Sequence, residues 1–245
     1  MNPLRLWHGW GMHPAVWSGL CTELAQQDIA TQTPALPGYD QSETVAPYNL
    51  DALVDAMLPA TNIPYVLCGW SLGALLALHA ARRHPQRISR LILIGATPSF
   101  VQRADWPHGI PLAVVDEFIA AVAHDPAAAL KRFMALSNQN DVHARSMART
   151  LTQMLTANPL PTAETLIAGL TLLRDSDLRA GIADITQPVL LLHGARDPLM
   201  PVAAAQWLAD ALPQAQLDIL PEAAHTPFLS DQQHCCSSIA SFYRA

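Results

Sequence analysis

The chain has 245 residues, 51% of them apolar and only 14% charged, against roughly 45–50% and about 25% in ordinary globular domains. That balance excludes a disordered chain and supplies the apolar surface for one large core, mostly aliphatic because aromatic residues make up 6%. With 14 Lys+Arg against 20 Asp+Glu the net charge is −6, which argues against nucleic acid as a partner because neutralising phosphates needs a cationic surface.

In chain order, short β-rich runs alternate with helical patterns. Residues 4–7 read as a strand, 14–27 as a helix and 29–33 as a second strand; a loop over 34–48 contains Leu36-Pro37-Gly38-Tyr39. Residues 50–58 read as helix and 65–68 as strand. A helix over 72–84 is ended by Pro85, since proline disfavours helical backbone in the residue before it, and 91–94 is a buried strand. After Thr97-Pro98 the alternation stops, and helix-period apolar residues recur through 114–122, 127–136, 147–155 and 166–173. It resumes with a strand at 189–192, a helix at 203–212, a strand at 217–220 and a closing helix at 229–243. The expected class is α/β, with about six mostly parallel strands and helices on both faces. Residues 1–97 and 186–245 form the expected core, and residues 98–185 an inserted helical cap. No apolar run approaches the 18 or so residues that span a bilayer, and the chain reaches His8 and Gly9 without a hydrophobic signal core, so a cytosolic location is expected. Cys21, Cys68, Cys235 and Cys236 lack C-x-x-C spacing and read as idle thiols.

In open α/β sheets, ligands sit at the carboxyl ends of the strands, so the loops that follow strands hold the informative motifs. Directly after strand 65–68 comes Gly69-Trp70-Ser71-Leu72-Gly73, and a helix starts at once. G-x-S-x-G arises by chance in roughly one chain of this length in ten, but its place between strand and helix is where a sharp turn would expose a nucleophilic serine. A serine hydroxyl needs a histidine to take its proton, and that histidine works best when a carboxylate holds it. Asp197 follows strand 189–192, within His193-Gly194-Ala195-Arg196-Asp197-Pro198. His225 follows strand 217–220, within Ala223-Ala224-His225-Thr226-Pro227. The order Ser71, Asp197, His225 is the one expected of an α/β-hydrolase. His193 precedes Asp197 in a structural-looking context, and His79, His84 and His234 fall on helices that should point elsewhere. Two backbone N–H groups are needed for the oxyanion. Leu72 at the helix start and Trp10, within His8-Gly9-Trp10-Gly11, supply them. The side chains of Trp10 and Trp70 read equally well as pocket wall or as ordinary packing.

These residues resemble the α/β-hydrolase superfamily over essentially the whole chain. More narrowly, they resemble the bacterial pimeloyl-[acyl-carrier protein] methyl ester esterases of biotin synthesis. That likeness also rests on Arg132-Phe133-Met134-Ala135-Leu136, Asp177-Leu178-Arg179 and Ala223-Ala224-His225-Thr226-Pro227-Phe228. The resemblance implies that Trp10, Ser71, Leu72, Phe133, Met134, Ala135, Leu136, Ser137 and His225 contact substrate. It also implies that Arg132, Arg145 and Arg149 hold an acidic acyl-carrier protein. Arg145 and Arg149 are spaced i, i+4 and share a helix face, and Lys131 adds to the cluster; a solvated helix face is the competing reading. Two departures stand out. The His-Gly-Trp-Gly loop begins at residue 8, without the hairpin-like segment usual before it, which leaves a sheet edge that needs protection. Ala128 stands where a further cap arginine is expected. The activity this implies is a monomeric serine carboxylesterase that needs no cofactor or metal and no membrane. An esterase of small free esters and a hydrolase-fold ligand receptor are the alternatives.

Overall fold

In the computed structural model, which describes residues 3–58, 61 and 63–245, six strands form one sheet. They are β1 (Leu4–Trp7), β2 (Thr31–Gln32), β3 (Tyr65–Trp70), β4 (Ile88–Ile94), β5 (Val189–Gly194) and β6 (Ala215–Leu220). Their order is β2-β1-β3-β4-β5-β6 and every pair is parallel. The central strands β3 and β5 are buried at every residue, as a parallel sheet covered on both faces requires. On one face α1 (Ser18–Ala25) packs against α10 (Gln232–Arg244); on the other α2 (Leu50–Met57) packs against α3 (Leu72–Arg83).

Between β4 and β5 lie four helices: α4 (Leu112–His124), α5 (Pro126–Asn138), α6 (Ala144–Ala157) and α7 (Ala163–Asp175). Two of them, α5 and α7, start on side-chain caps. Asp125 Oδ1 accepts from Ala128 N–H at 3.0 Å, and Thr162 Oγ1 accepts from Thr165 N–H at 3.2 Å, satisfying donors that the helix itself cannot. In α6, Met147, Leu151 and Leu155 are buried at four-residue intervals while Arg145 and Arg149 face out, the stripe of an amphipathic helix. The Asp177-Leu178-Arg179 segment ties this block to the end of β4. Leu178 N–H donates to the Pro98 carbonyl at 2.8 Å, and the Arg179 guanidinium pairs with Asp177 and Asp105 and lies over the Trp106 ring.

Strands β3, β4, β5 and β6 run two or three residues longer than expected, and three other expected elements differ in form. The helix over 14–27 begins with a 3₁₀ turn, Pro14–Trp17, because His13 Nδ1 accepts from Ala15 N–H at 3.0 Å and tightens the entry. The strand over 29–33 pairs only at Thr31–Gln32, since Ile29 N–H turns back to the Leu24 carbonyl; this edge strand is therefore very short, a form of protection natural edges use. The closing helix is two, α9 (Pro227–Ser230) and α10. Asp231 breaks it with φ −131° and ψ 74°, then caps α10 through His234 N–H. The helix α8 (Val202–Ala211) matches its expected position. All four cysteines are free; burial pushes the Cys68 and Cys235 thiols well up, which keeps them protonated and inert. Among the described residues no helix is long and apolar enough to cross a membrane.

Candidate active site

The strand order reverses at β1, which has β2 on one side and β3 on the other. At such a switch point the loops leaving adjacent strands diverge and open a crevice. The loop after β1 and the turn after β3 meet there. Ser71 adopts φ 56° and ψ −116°, a conformation that L-residues rarely take and that the surroundings must enforce. They do so by close approach: a Cβ at Gly69 would run into the Gly73 carbonyl, and one at Gly73 into the Trp7 carbonyl. Only glycine allows the strand, the turn and α3 to be packed so tightly.

Ser71 and His225 both border the end of β4. Ser71 N–H donates to the Ile94 carbonyl at 3.0 Å, and a Cβ on Gly95 would stand 3.2 Å from His225 Cε1. His225 Nδ1 donates to Asp197 Oδ2 at 2.7 Å, since a carboxylate can only accept. Asp197 Oδ1 in turn accepts from the N–H groups of Leu199 and Met200, each at 2.9 Å. Burial works to raise the Asp197 pKa, but the neighbouring imidazoles and the backbone donor outweigh it and hold the carboxyl below its ordinary value. The other ring nitrogen, His225 Nε2, is buried and has no hydrogen-bond partner among the described residues. A histidine held in this tautomer can accept a proton at Nε2 and pass it on.

His193 is a different case. Its Nε2 donates to the Met200 carbonyl at 2.7 Å, and burial lowers its pKa, so it braces the Asp197 loop as a neutral ring. His79, His84 and His234 pair with Asp51, Asp55 and Asp218 on the exterior.

The residues after β1 complete the site. A Cβ at Gly9 would sit 3.2 Å from Ser71 Cβ, which brings Gly9-Trp10 alongside the turn. Leu72 is the first residue of α3, where an N–H has no intrahelical partner, and neither it nor the N–H of Trp10 donates to another described residue. The Trp10 indole donates to the Leu166 carbonyl at 2.8 Å and packs edge-on against Phe133, ring centroids 4.8 Å apart. It is thus both packed and part of the wall. From α5, Phe133, Met134 and Ser137 are buried toward the site, Leu136 is half-buried, and Ala135 lies on the exposed face. The substrate contact expected of Ala135 is therefore not one its side chain makes from this position. Arg132 is exposed, lies over the Phe118 ring and reaches Glu117 at 4.0 Å; Arg145 and Arg149 project to solvent from α6.

Two supports lie within motifs read from the sequence, but their structural roles were not read from it. Trp70, the variable residue before the serine, donates its indole N–H to the His225 carbonyl at 2.8 Å and packs on Phe228 and Trp17. His8 is buried, with Nδ1 donating to the Gly9 carbonyl at 2.9 Å and Nε2 accepting from Leu36 N–H at 3.0 Å. Burial, partly opposed by the Gly9 carbonyl, lowers its pKa from 6.5 to about 4. The folded state therefore binds this proton later than the unfolded chain, and stability falls as pH drops from about 6.5 to about 4, by roughly 3 kcal/mol. Urea midpoints between pH 7.5 and 4.5 should fall less steeply in His8→Gln than in the parent; parallel slopes would refute this.

Comparison with known proteins agrees with the fold. A family profile described as alpha/beta hydrolase fold matches residues 2–232. The chain is 45% identical to the pimeloyl-[acyl-carrier protein] methyl ester esterase of Aromatoleum aromaticum, covering 98% of both chains. It is 39% identical to the esterase of the same name from Nitrosomonas europaea, over 93% of this chain and 90% of that one. Among solved structures, an esterase from Exiguobacterium antarcticum superimposes with a TM-score of 0.91 at 23% identity, covering 100% of this chain and 92% of that one, a likeness in fold.

Proposed function

Because the chain belongs to the alpha/beta hydrolase fold family, we propose that it is a serine carboxylesterase that hydrolyses the methyl ester of pimeloyl-[acyl-carrier protein]. The observation that carries the chemistry is the buried, unpartnered Nε2 of His225, with Nδ1 held by Asp197, at the end of β4 that Ser71 also borders. The substrate follows from near full-length identity to esterases of that name. In this reading residues 98–185 cap the site, and residues 1–97 with 186–245 form the catalytic core.

His225 takes the Ser71 proton as Oγ attacks the ester carbonyl, and the N–H groups of Trp10 and Leu72 stabilise the oxyanion. Collapse of the tetrahedral intermediate expels methanol, protonated by His225, and leaves an acyl-enzyme. Water, deprotonated by the same imidazole, releases the free acid and restores Ser71. Methylene groups of the acyl chain would lie against Trp10, Phe133 and Met134, and Leu136 and Ser137 extend that wall.

On the exterior, Arg132, Arg145 and Arg149 offer positive charge to an acidic carrier. Exposed charges each contribute little, on the order of 0.5 kcal/mol. Arg145→Ala/Arg149→Ala should therefore raise KM for the carrier-bound ester about fivefold while kcat holds. Methanol release measured in parallel on a free dicarboxylate methyl ester sets the baseline; an equal change on both substrates would reject carrier docking at these residues.

A further inference from the structure

His225 lies in a connection between β6 and α9, outside any ladder of the sheet. Its position depends on what the connection is bonded to. From the core it is held by Asp197 and by the Trp70 indole. From the other side, three successive residues are held by the end of α5 and the turn after it. Ala224 N–H donates to Asp141 Oδ2 at 2.8 Å, His225 N–H to the Ser137 carbonyl at 3.3 Å, and the Thr226 hydroxyl to Asn138 Oδ1 at 2.6 Å.

The two side chains involved are built into the insertion. Asn138 is 1% exposed, and its Nδ2 donates to the Met134 carbonyl and to Ser137 Oγ. Asp141 is 6% exposed, and its Oδ1 accepts from His143 N–H and from Ser230 Oγ. Buried polar groups satisfied this fully hold their geometry. The same helix presents Phe133 to Trp10 and Met134 to Gly11. Seating of α5 against the acyl-chain wall and placement of the imidazole are therefore mechanically one event.

We propose that Asn138 and Asp141 are positioning residues for the reaction, clasping residues 224–226 so that His225 is in register with Ser71 only while the end of α5 is seated. This rests on the reading of His225 as the base. A displacement of about 1 Å in a reacting group can cost a factor of about 100, so loss of one arm of the clasp should be visible in the rate.

The test compares Thr226→Val, which removes the hydroxyl at constant shape, with Thr226→Ser, which keeps it. The first readout is the second-order rate constant for modification of Ser71 by a small fluorophosphonate, which needs the base but not the natural substrate. Thr226→Val should slow labelling about tenfold and lower kcat about equally with KM within about twofold, while Thr226→Ser stays close to the parent. Labelling of Thr226→Val within about twofold of the parent, or an equal loss in Thr226→Ser, overturns the proposal. Should Thr226→Val fail to fold, Asn138→Leu/Thr226→Val removes both partners without orphaning that hydrogen bond, and the same criterion applies. Labelling that stays at the parent rate in His225→Gln would instead reject the reading of His225 as the base, so the two failures are distinguishable.

Discussion

Ser71→Ala should lower kcat for ester hydrolysis by about a millionfold, leave the fold intact and abolish labelling by a serine-directed phosphonate. The magnitude follows from what remains. Without Oγ there is no nucleophile to form an acyl-enzyme, and the residual rate is that of water attacking a carbonyl already held by the N–H groups of Trp10 and Leu72. The fold should be indifferent because the Ser71 side chain caps no helix N–H. Its unusual φ of 56° is imposed by the packing of Gly69 and Gly73 and costs alanine about what it costs serine. Methanol release and thermal melting measured on the same preparation separate the two effects. A variant that melts like the parent yet keeps more than a thousandth of its rate would remove Ser71 from the chemistry.

How much of this was legible depends on the length scale of the cause. β3 and β5 were readable as short apolar runs because strands buried on both faces leave no room for polar residues. Ser71 was readable because its turn demands small residues two positions away on each side, and Asp197 and His225 because each follows a strand in the order the fold requires. The four helices between β4 and β5 announced themselves by apolar period alone. Other contacts have no local cause. Asn138 meets Thr226 across 88 positions and Asp141 meets Ala224 across 83, and single polar residues in a helix end or turn carry no periodic signal. Trp70 read equally as wall or packing, and only the fold shows its indole anchoring the His225 backbone. Breaks such as Asp231, where one expected helix is two, turn on a single residue that leaves helical backbone and caps the next helix through its side chain.

Asp197→Asn is expected to cost about 10⁴-fold in kcat with little change in KM. Here the surroundings dictate how the amide must sit. One carboxylate oxygen, Oδ1, accepts from two backbone donors, Leu199 and Met200, while Oδ2 faces His225 Nδ1. An asparagine in this frame has one oxygen, and two N–H groups claim it. Its NH₂ is therefore turned toward the imidazole, and Nδ1 must become an acceptor. The ring proton moves to Nε2, the atom that in the parent is buried and unpartnered, and the imidazole can no longer take a proton from Ser71. Rotating the amide to restore Nδ1–H donation would set NH₂ against two buried N–H groups, at a cost of about 1–3 kcal/mol or more. The protein should fold around the wrong tautomer in preference. As pH rises, loss of the Ser71 proton to hydroxide bypasses the base, so activity of Asp197→Asn should climb with pH beyond the range where the parent has levelled off. A pH–rate profile that instead parallels the parent at a uniformly lower level would mean that Asp197 contributes only charge, and that the orientation of its two oxygens is immaterial.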